Sequence, residues 1–205
     1  MCIFRTPLKL FRKTTGRLFG LPLSRLCTNN ALPPAITACL RALFQRGPHT
    51  QGIFRRCASA RALRELREKV DTQGAAVCEE IANTPALLLA ALLKDFLRSL
   101  PEPLLTGNAQ EWLNVASSGR TDHLRRLLNL LPRENHLLLA NVICVLYNIA
   151  KRARFNLMSA ANLGMSFLTS SLPLTNFFKL RCVRWPEFAL GVRPERPLAD
   201  VAHTG

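Results

Sequence analysis

The chain has 205 residues and a formal net charge of +15, with 48% hydrophobic, 20% charged and 7% aromatic residues. This length suits one domain of ordinary size with flanking segments. Leu and Ala dominate while Val, Ile and Tyr are sparse, a composition typical of helices rather than strands. No apolar run approaches the roughly 18 residues of a membrane-spanning helix, so none is predicted.

The excess of positive charge points to an acidic protein face, an anionic membrane or a nucleic acid as partner. Aromatic residues are not interleaved with the basic ones, as a stacking platform for single strands requires, and no DNA-reading motif is present. A nucleic acid is therefore not expected as partner. The seven cysteines form no C-x-x-C pair and the four histidines are scattered, which argues against a zinc site and favours a reducing, cytoplasmic setting.

Residues 1–18 carry five basic residues and no acidic residue, mixed with apolar side chains. Two interpretations stay open for this segment. It is either an interfacial or transit-like basic segment, which makes a weak contact with an anionic membrane surface, or a poorly ordered linker, which we favour. We expect this segment to be flexible. We expect the protein in the cytoplasm, with the membrane surface as a second possible location.

Apolar residues recur at helical spacing through most of the chain. The segment Leu32-Pro33-Pro34 opens the first predicted helix and Gly47-Pro48 breaks it. Thr84-Pro85 is predicted as the N-cap and first residue of a nearly apolar helix, and Ser159 as the N-cap of a helix that contains Asn162. The predicted helices before Ser159 cover residues 34–45, 60–70, 86–100, 109–117, 121–131 and 134–151.

Charged residues on two of these helices lie at spacings that place them on one face. On the helix from Ala60, the i,i+4 pairs predict a solvated face that needs no chemistry. These pairs are Arg61–Glu65, Arg64–Glu68 and Glu65–Lys69. Lys94 and Arg98 are also four residues apart, at the C-terminal end of their helix, where cations suit the helix dipole.

The segment from Gly52 to Arg56 is the most informative part of the chain. A glycine permits a tight turn, Ile53 and Phe54 can anchor the loop in the core, and the Arg55 guanidinium then stays outside. Such an arginine is suited to entering the active site of another protein. The sequence has no phosphate-binding loop, dinucleotide fingerprint, nucleophile elbow or H-E-x-x-H helix, so we predict an activator acting in trans and not an enzyme with its own pocket.

Five ordered motifs over about 150 residues resemble the RhoGAP domain, with the T-cell activation branch of the family the most similar. They are Phe19-Gly20-Leu21-Pro22-Leu23, Gly52-Ile53-Phe54-Arg55, the segment from Leu93 to Leu105 (LKDFLRSLPEPLL), Leu131-Pro132-Arg133-Glu134-Asn135 and the segment from Asn156 to Leu163 (NLMSAANL).

The resemblance implies an all-α RhoGAP-type helical bundle that accelerates GTP hydrolysis on Rho-family small GTPases in their GTP-bound form. It makes Arg55 the catalytic arginine finger. It places Lys94 and Arg98 close behind the finger loop, with Arg98 bracing that loop and Lys94 contributing to the GTPase-facing surface. It lets Asn162 contact the GTPase or the finger loop from a facing helix. No cofactor or metal of the chain's own is implied, because GTP and Mg²⁺ belong to the partner.

The resemblance ends after Leu172, where the family's turn and closing helix are not recognisable. We therefore expect a basic segment at 1–18, a RhoGAP-like domain at 19–172 and a mostly irregular tail at 173–205, with the final helix of the bundle missing through truncation or an alternative terminus. Two functions stay open. The domain is either a working GTPase activator with Arg55 as its finger, or a non-catalytic module that binds GTPases or other partners.

Overall fold

The computed structural model describes residues 18–106, 110–112, 114 and 121–168, and helices are the named elements of that part. The all-α prediction is confirmed for these residues. The predictions for residues 1–17 and 169–205 lie outside the described residues, so the boundary near 172 stays a prediction. The α-helices are α1 Leu23–Leu26, α2 Pro34–Arg46, α3 Ala60–Gln73, α4 Cys78–Asn83, α5 Ala86–Ser99, α6 Thr121–Leu130, α7 Arg133–Ala150, α8 Ala153–Asn156 and α9 Ala160–Leu168, with 3₁₀ turns at Gly47–His49 and Gly74–Val77. None of the described helices is long and apolar enough to cross a membrane.

Helix α2 lies at the centre of the bundle and packs against α4, α5 and α7. Pro34 occupies its first turn, where the missing N–H costs nothing. The stripe predicted from the sequence is fully buried and consists of Ile36, Cys39, Leu40 and Leu43. Burial raises the pKa of the Cys39 thiol to about 12, so this cysteine stays protonated and acts as a small core residue.

Helix α7 is the longest described element, with 18 residues. At 1.5 Å per residue it is about 27 Å long, so it connects two distant ends of the bundle. Its predicted apolar stripe is confirmed as fully buried and consists of Leu138, Val142, Val145, Leu146 and Ile149. The C-terminal end of α7 leads directly into α8 and α9, which contain the last of the described residues.

The predicted cap of α5 is wrong by one residue. The N-cap position is Pro85, and Thr84 instead ends α4, where its hydroxyl donates to the Glu80 carbonyl at 2.8 Å. The reason is that α4 stops immediately before α5, so the threonine side chain bonds back to the preceding turn.

The predicted charge pairs of α3 are partly corrected. Arg61 pairs with Glu65 at 2.8 Å as predicted. Lys69, however, pairs with Glu80 of α4 at 2.6 Å. A pair between two helices cannot be inferred from spacing along one of them.

The ordered fold includes Leu18, which the predicted boundary assigned to the N-terminal segment. Leu18 is 8% exposed, and its N–H and that of Phe19 both donate to the carboxylate of Asp71. The Phe19 ring packs edge-on against Phe96 of α5 at 6.0 Å between centroids. The Arg67 guanidinium lies 4.5 Å above the same ring. The chain is therefore held against α3 and α5 from Leu18 onwards.

Candidate functional site

The loop of residues 50–57, named here the Arg55 loop, is a tight turn built around Gly52. The Gly52 carbonyl accepts hydrogen bonds from the N–H groups of Arg55 at 3.0 Å and Arg56 at 2.8 Å. Gly52 has a φ of +64°, and a Cβ atom there would lie 2.8 Å from Cγ of Arg56. This position therefore requires glycine both for its backbone conformation and for the close approach of Arg56.

Apolar residues fix the Arg55 loop from inside. Ile53 is 0% and Phe54 1% exposed, whereas Arg55 and Arg56 are exposed, as the sequence predicted. Phe54 has a φ of +67°, a conformation that costs a non-glycine residue about 1–3 kcal/mol. Burial of a phenylalanine ring contributes a similar amount, about 1.5–3 kcal/mol, and offsets that cost. The loop thus directs Arg55 outward because its neighbour is buried.

Lys94 of α5 contacts the Arg55 loop directly. Its ammonium donates to the Phe54 carbonyl at 2.8 Å. Partial burial lowers the pKa of Lys94, the positive charge of Arg98 lowers it further, and Cys57 acts in the opposite direction. The lysine therefore supports the loop at the residue just before the arginine.

Arg98 lies one turn further along α5 and is exposed. The resemblance assigned the bracing of the loop to Arg98, but the hydrogen bond to the loop comes from Lys94. The physical reason is position: Lys94 is half-buried beneath Phe54, whereas Arg98 extends into solvent.

Asn162 of α9 lies close to the same loop through one intervening segment. The helix begins after Ser159, whose hydroxyl accepts from the Asn162 N–H at 3.3 Å, so the predicted N-cap is confirmed. The Asn162 amide donates to the Leu157 carbonyl at 3.2 Å. The carbonyl of the preceding Asn156 accepts from the Gly52 N–H at 2.8 Å, so the segment that Asn162 bonds is itself bonded to the Arg55 loop.

Asn156 is the structural residue of this site that the sequence analysis did not single out. It is 0% exposed, and its amide donates to the carbonyls of Pro48 at 3.1 Å and Ile149 at 2.8 Å. Its side-chain oxygen accepts from the Met158 N–H at 2.9 Å. The side chain joins the base of the Arg55 loop to the end of α7. An asparagine whose side chain accepts from the N–H two residues later is a recognised local turn signal. It could have indicated the contact with Met158, but not the contacts with Pro48 and Ile149.

Within the described residues, the site presents an exposed cation. Among the described residues, no group of three or more His, Cys, Asp or Glu is placed to hold a metal ion. A groove of about 350 Å³ lies between α3 and α4, and its lining includes neither Arg55 nor Lys94 nor Asn162. A guanidinium is planar, permanently charged and able to bond two oxygens at once. An exposed arginine on a fixed loop can therefore stabilise negative charge on a partner.

The chain matches characterised proteins in sequence. A model of the RhoGAP domain matches residues 33–174. Rho GTPase-activating protein 20 of Mus musculus is 38% identical over 165 residues, which cover 77% of this chain and 14% of that protein. The T-cell activation Rho GTPase-activating protein of Homo sapiens is 37% identical over 165 residues, which cover 78% of this chain and 22% of that protein. The chain thus spans less than a quarter of the length of these relatives.

Solved structures share the fold. The crystal structure of human Rho GTPase activating protein 15 superimposes with a TM-score of 0.67 at 21% identity, covering 84% of this chain and 89% of that one. The BH domain from GRAF, the GTPase regulator associated with focal adhesion kinase, gives a TM-score of 0.59 at 22% identity, covering 79% and 96%. With the family model matching well over half of its residues, this chain belongs to the RhoGAP domain family.

Proposed function

We propose that this domain is a GTPase-activating protein for Rho-family small GTPases in their GTP-bound form, and that Arg55 is its arginine finger. The observation that carries the proposal is the exposed Arg55 beside a fully buried Ile53-Phe54 pair, on a loop held by Lys94 and by Asn156. Membership of the RhoGAP family supplies the class of partner.

The transferred γ-phosphoryl group of GTP develops negative charge on oxygens that a guanidinium can bond in pairs. An arginine finger is worth about 10³–10⁵ in rate, which corresponds to roughly 4–7 kcal/mol of transition-state stabilisation. GTP and Mg²⁺ belong to the partner in this proposal, so the chain needs no cofactor of its own. Asn162 and Arg98 contribute to the surface that the GTPase covers, and we expect the domain to work in the cytoplasm.

The electrostatics suit such a partner. The net charge of +15 complements a partner that carries phosphates, and complementary charge accelerates association at low ionic strength. The backbone of Arg55 is held before binding, because hydrogen bonds at Gly52 and the buried Phe54 determine where the chain leaves the core. A preformed loop reduces the ordering cost of association.

The test is single-turnover GTP hydrolysis with a panel of Rho, Rac and Cdc42 class GTPases. Arg55→Ala should lower the stimulated rate by about 10³-fold or more while binding is largely retained. Arg55→Lys should recover little of this, since it keeps the charge but loses the planar fork. Arg56→Ala is the matched control, because Arg56 is the adjacent exposed arginine and should tolerate the change.

The contrary result is an absence of stimulation by protein that melts cooperatively. Binding without stimulation by such protein would favour the non-catalytic module. An equal loss of rate in Arg55→Ala and Arg56→Ala would show that general positive charge, and not one finger, is responsible.

A further inference from the structure

Most of the large exposed apolar side chains of the described residues lie in one short stretch of the sequence. The large hydrophobic residues that face solvent are Leu130 at 77%, Phe155 at 72%, Leu157 at 53% and Met165 at 61% exposed. Single exposed residues of this kind are ordinary. Three of these four, however, lie between residues 155 and 165, and Phe155 and Leu157 directly flank the buried Asn156. A group of this kind is typical of an interaction surface.

Leu157 lowers the stability of the isolated domain through its backbone conformation, and its exposed side chain does little to offset this. It ends α8 in the left-handed conformation, with a φ of 61°, at a position where glycine or asparagine is the usual residue. A leucine there costs roughly 1–2 kcal/mol. Because 53% of the residue is exposed, packing inside the domain recovers little of that cost. Local strain combined with an exposed leucine points to a role outside the domain.

Both residues flank a residue that is hydrogen-bonded to the Arg55 loop. The carbonyl of Asn156, between them, accepts from the Gly52 N–H of the Arg55 loop, and the Leu157 carbonyl accepts from the Asn162 amide. Counting Cα steps across these hydrogen bonds places Phe155 within about 15 Å of Arg55. A standard interface covers about 800 Å² on each partner, which is a disc of about 16 Å radius. Phe155 is therefore close enough to Arg55 for a single partner of ordinary size to cover both residues.

The surroundings have the composition of a protein interface. Lys151, Arg152 and Arg154 are exposed around the apolar pair. Interfaces commonly place an aromatic anchor inside a polar rim, and the anchor supplies most of the affinity.

We propose that Phe155 and Leu157 form an apolar anchor for the same GTPase that Arg55 enters. The anchor meets an apolar patch of the GTPase that is bordered by acidic groups. This inference rests on the proposed function, and it assigns affinity to a segment distinct from the finger.

The experiment titrates the intact chain, as wild type and as variants Phe155→Ala and Leu157→Asn, against a GTPase that the wild type stimulates. Each variant should raise the half-saturating concentration about tenfold or more, with the plateau rate within about twofold of wild type. Leu157→Asn should keep or raise the melting temperature, because asparagine tolerates the left-handed conformation. A loss of affinity in that variant then cannot come from unfolding.

Leu130→Ala is the matched control. Leu130 is also a large apolar residue that is exposed. It ends α6, close to the first residue of α7, whereas Phe155 follows the last residue of α7. The length of α7, about 27 Å, therefore separates the two residues. This variant should bind and stimulate as wild type does.

Direct binding to GTPase loaded with a non-hydrolysable GTP analogue separates this inference from the proposed function. If the wild type stimulates and Phe155→Ala and Leu157→Asn bind normally, the anchor is refuted and the finger stands. If the wild type binds without stimulating and both variants bind more weakly, the anchor stands and the activator proposal fails. An absence of any binding by wild type refutes both.

Two other occupants would overturn the anchor. One is an anionic membrane, shown if the variants lose binding to phosphatidylcholine–phosphatidylserine vesicles with unchanged GTPase affinity. The other is a second copy of the chain, shown if sedimentation reveals a dimer that the variants dissociate.

Discussion

Asn156→Ala tests whether one buried side chain holds the Arg55 loop to the rest of the bundle. The substitution removes the amide that bonds the carbonyls of Pro48 and Ile149, and the oxygen that accepts from the Met158 N–H. The Gly52 N–H still has the backbone carbonyl of residue 156 available, because that group is not altered. The perturbation is therefore confined to three buried contacts.

The expected loss follows from the number of groups left without partners. Asn156 is 0% exposed, so water does not replace the lost bonds without local opening. The Ile149 carbonyl keeps its bond from the Arg152 N–H at 3.0 Å, so the Pro48 carbonyl and the Met158 N–H are the groups that lose a partner. At about 1–3 kcal/mol for each of these two groups, the expected loss is about 2–6 kcal/mol. That is a large part of the roughly 5–15 kcal/mol that stabilises an ordinary domain.

Urea unfolding of wild type and variant measures this loss directly. Asn148→Ala is the matched control, because Asn148 makes one such bond, to the Phe44 carbonyl at 2.8 Å, and is only half-buried. The control should lose about 0.5–1.5 kcal/mol. If Asn156→Ala loses no more than Asn148→Ala, the three contacts do not hold the loop and the reasoning is wrong.

Two further predictions concern the support of the Arg55 loop. Gly52→Ala should lower the free energy of unfolding by more than about 1 kcal/mol and should also lower the stimulated rate. Gly20→Ala is the control, because Gly20 has a φ of +80° and no atom within 4 Å of the added Cβ, so this variant should show the conformational cost alone. Equal stability losses in chemical denaturation and equal rates would contradict this. Lys94→Met should lower the plateau rate, because the bond to the Phe54 carbonyl is lost. The folded-state pKa of Lys94 lies below its ordinary 10.5, so between these two pH values the unfolded chain binds more protons than the folded one. In that range the stability of the wild type should therefore rise with pH relative to that of Lys94→Met. A pH-independent difference between their unfolding free energies would refute the partial burial of the Lys94 ammonium.

Local patterns in the sequence predicted the parts of the fold that depend on local rules. The buried stripe of α7 follows from helical spacing, and the Ser159 cap follows from its position before a helix. Contacts between separate helices could not be predicted from these local patterns. Lys69 pairs with Glu80 and not with Glu65, and Lys94 rather than Arg98 bonds the loop, because both depend on how separate helices pack.

The Arg55 loop is completed by contacts between distant parts of the chain, and this has a consequence for folding. The Gly52 N–H bonds the carbonyl of Asn156, and the bond from the Asn156 amide to the Pro48 carbonyl spans 108 residues. Bringing together two residues that far apart in the chain costs about 4 kcal/mol of conformational entropy before any contact offsets it. During synthesis Gly52 emerges long before Asn156, so the loop lacks this hydrogen bond until residue 156 has left the ribosome. We therefore expect the loop to be among the last parts of the domain to take shape.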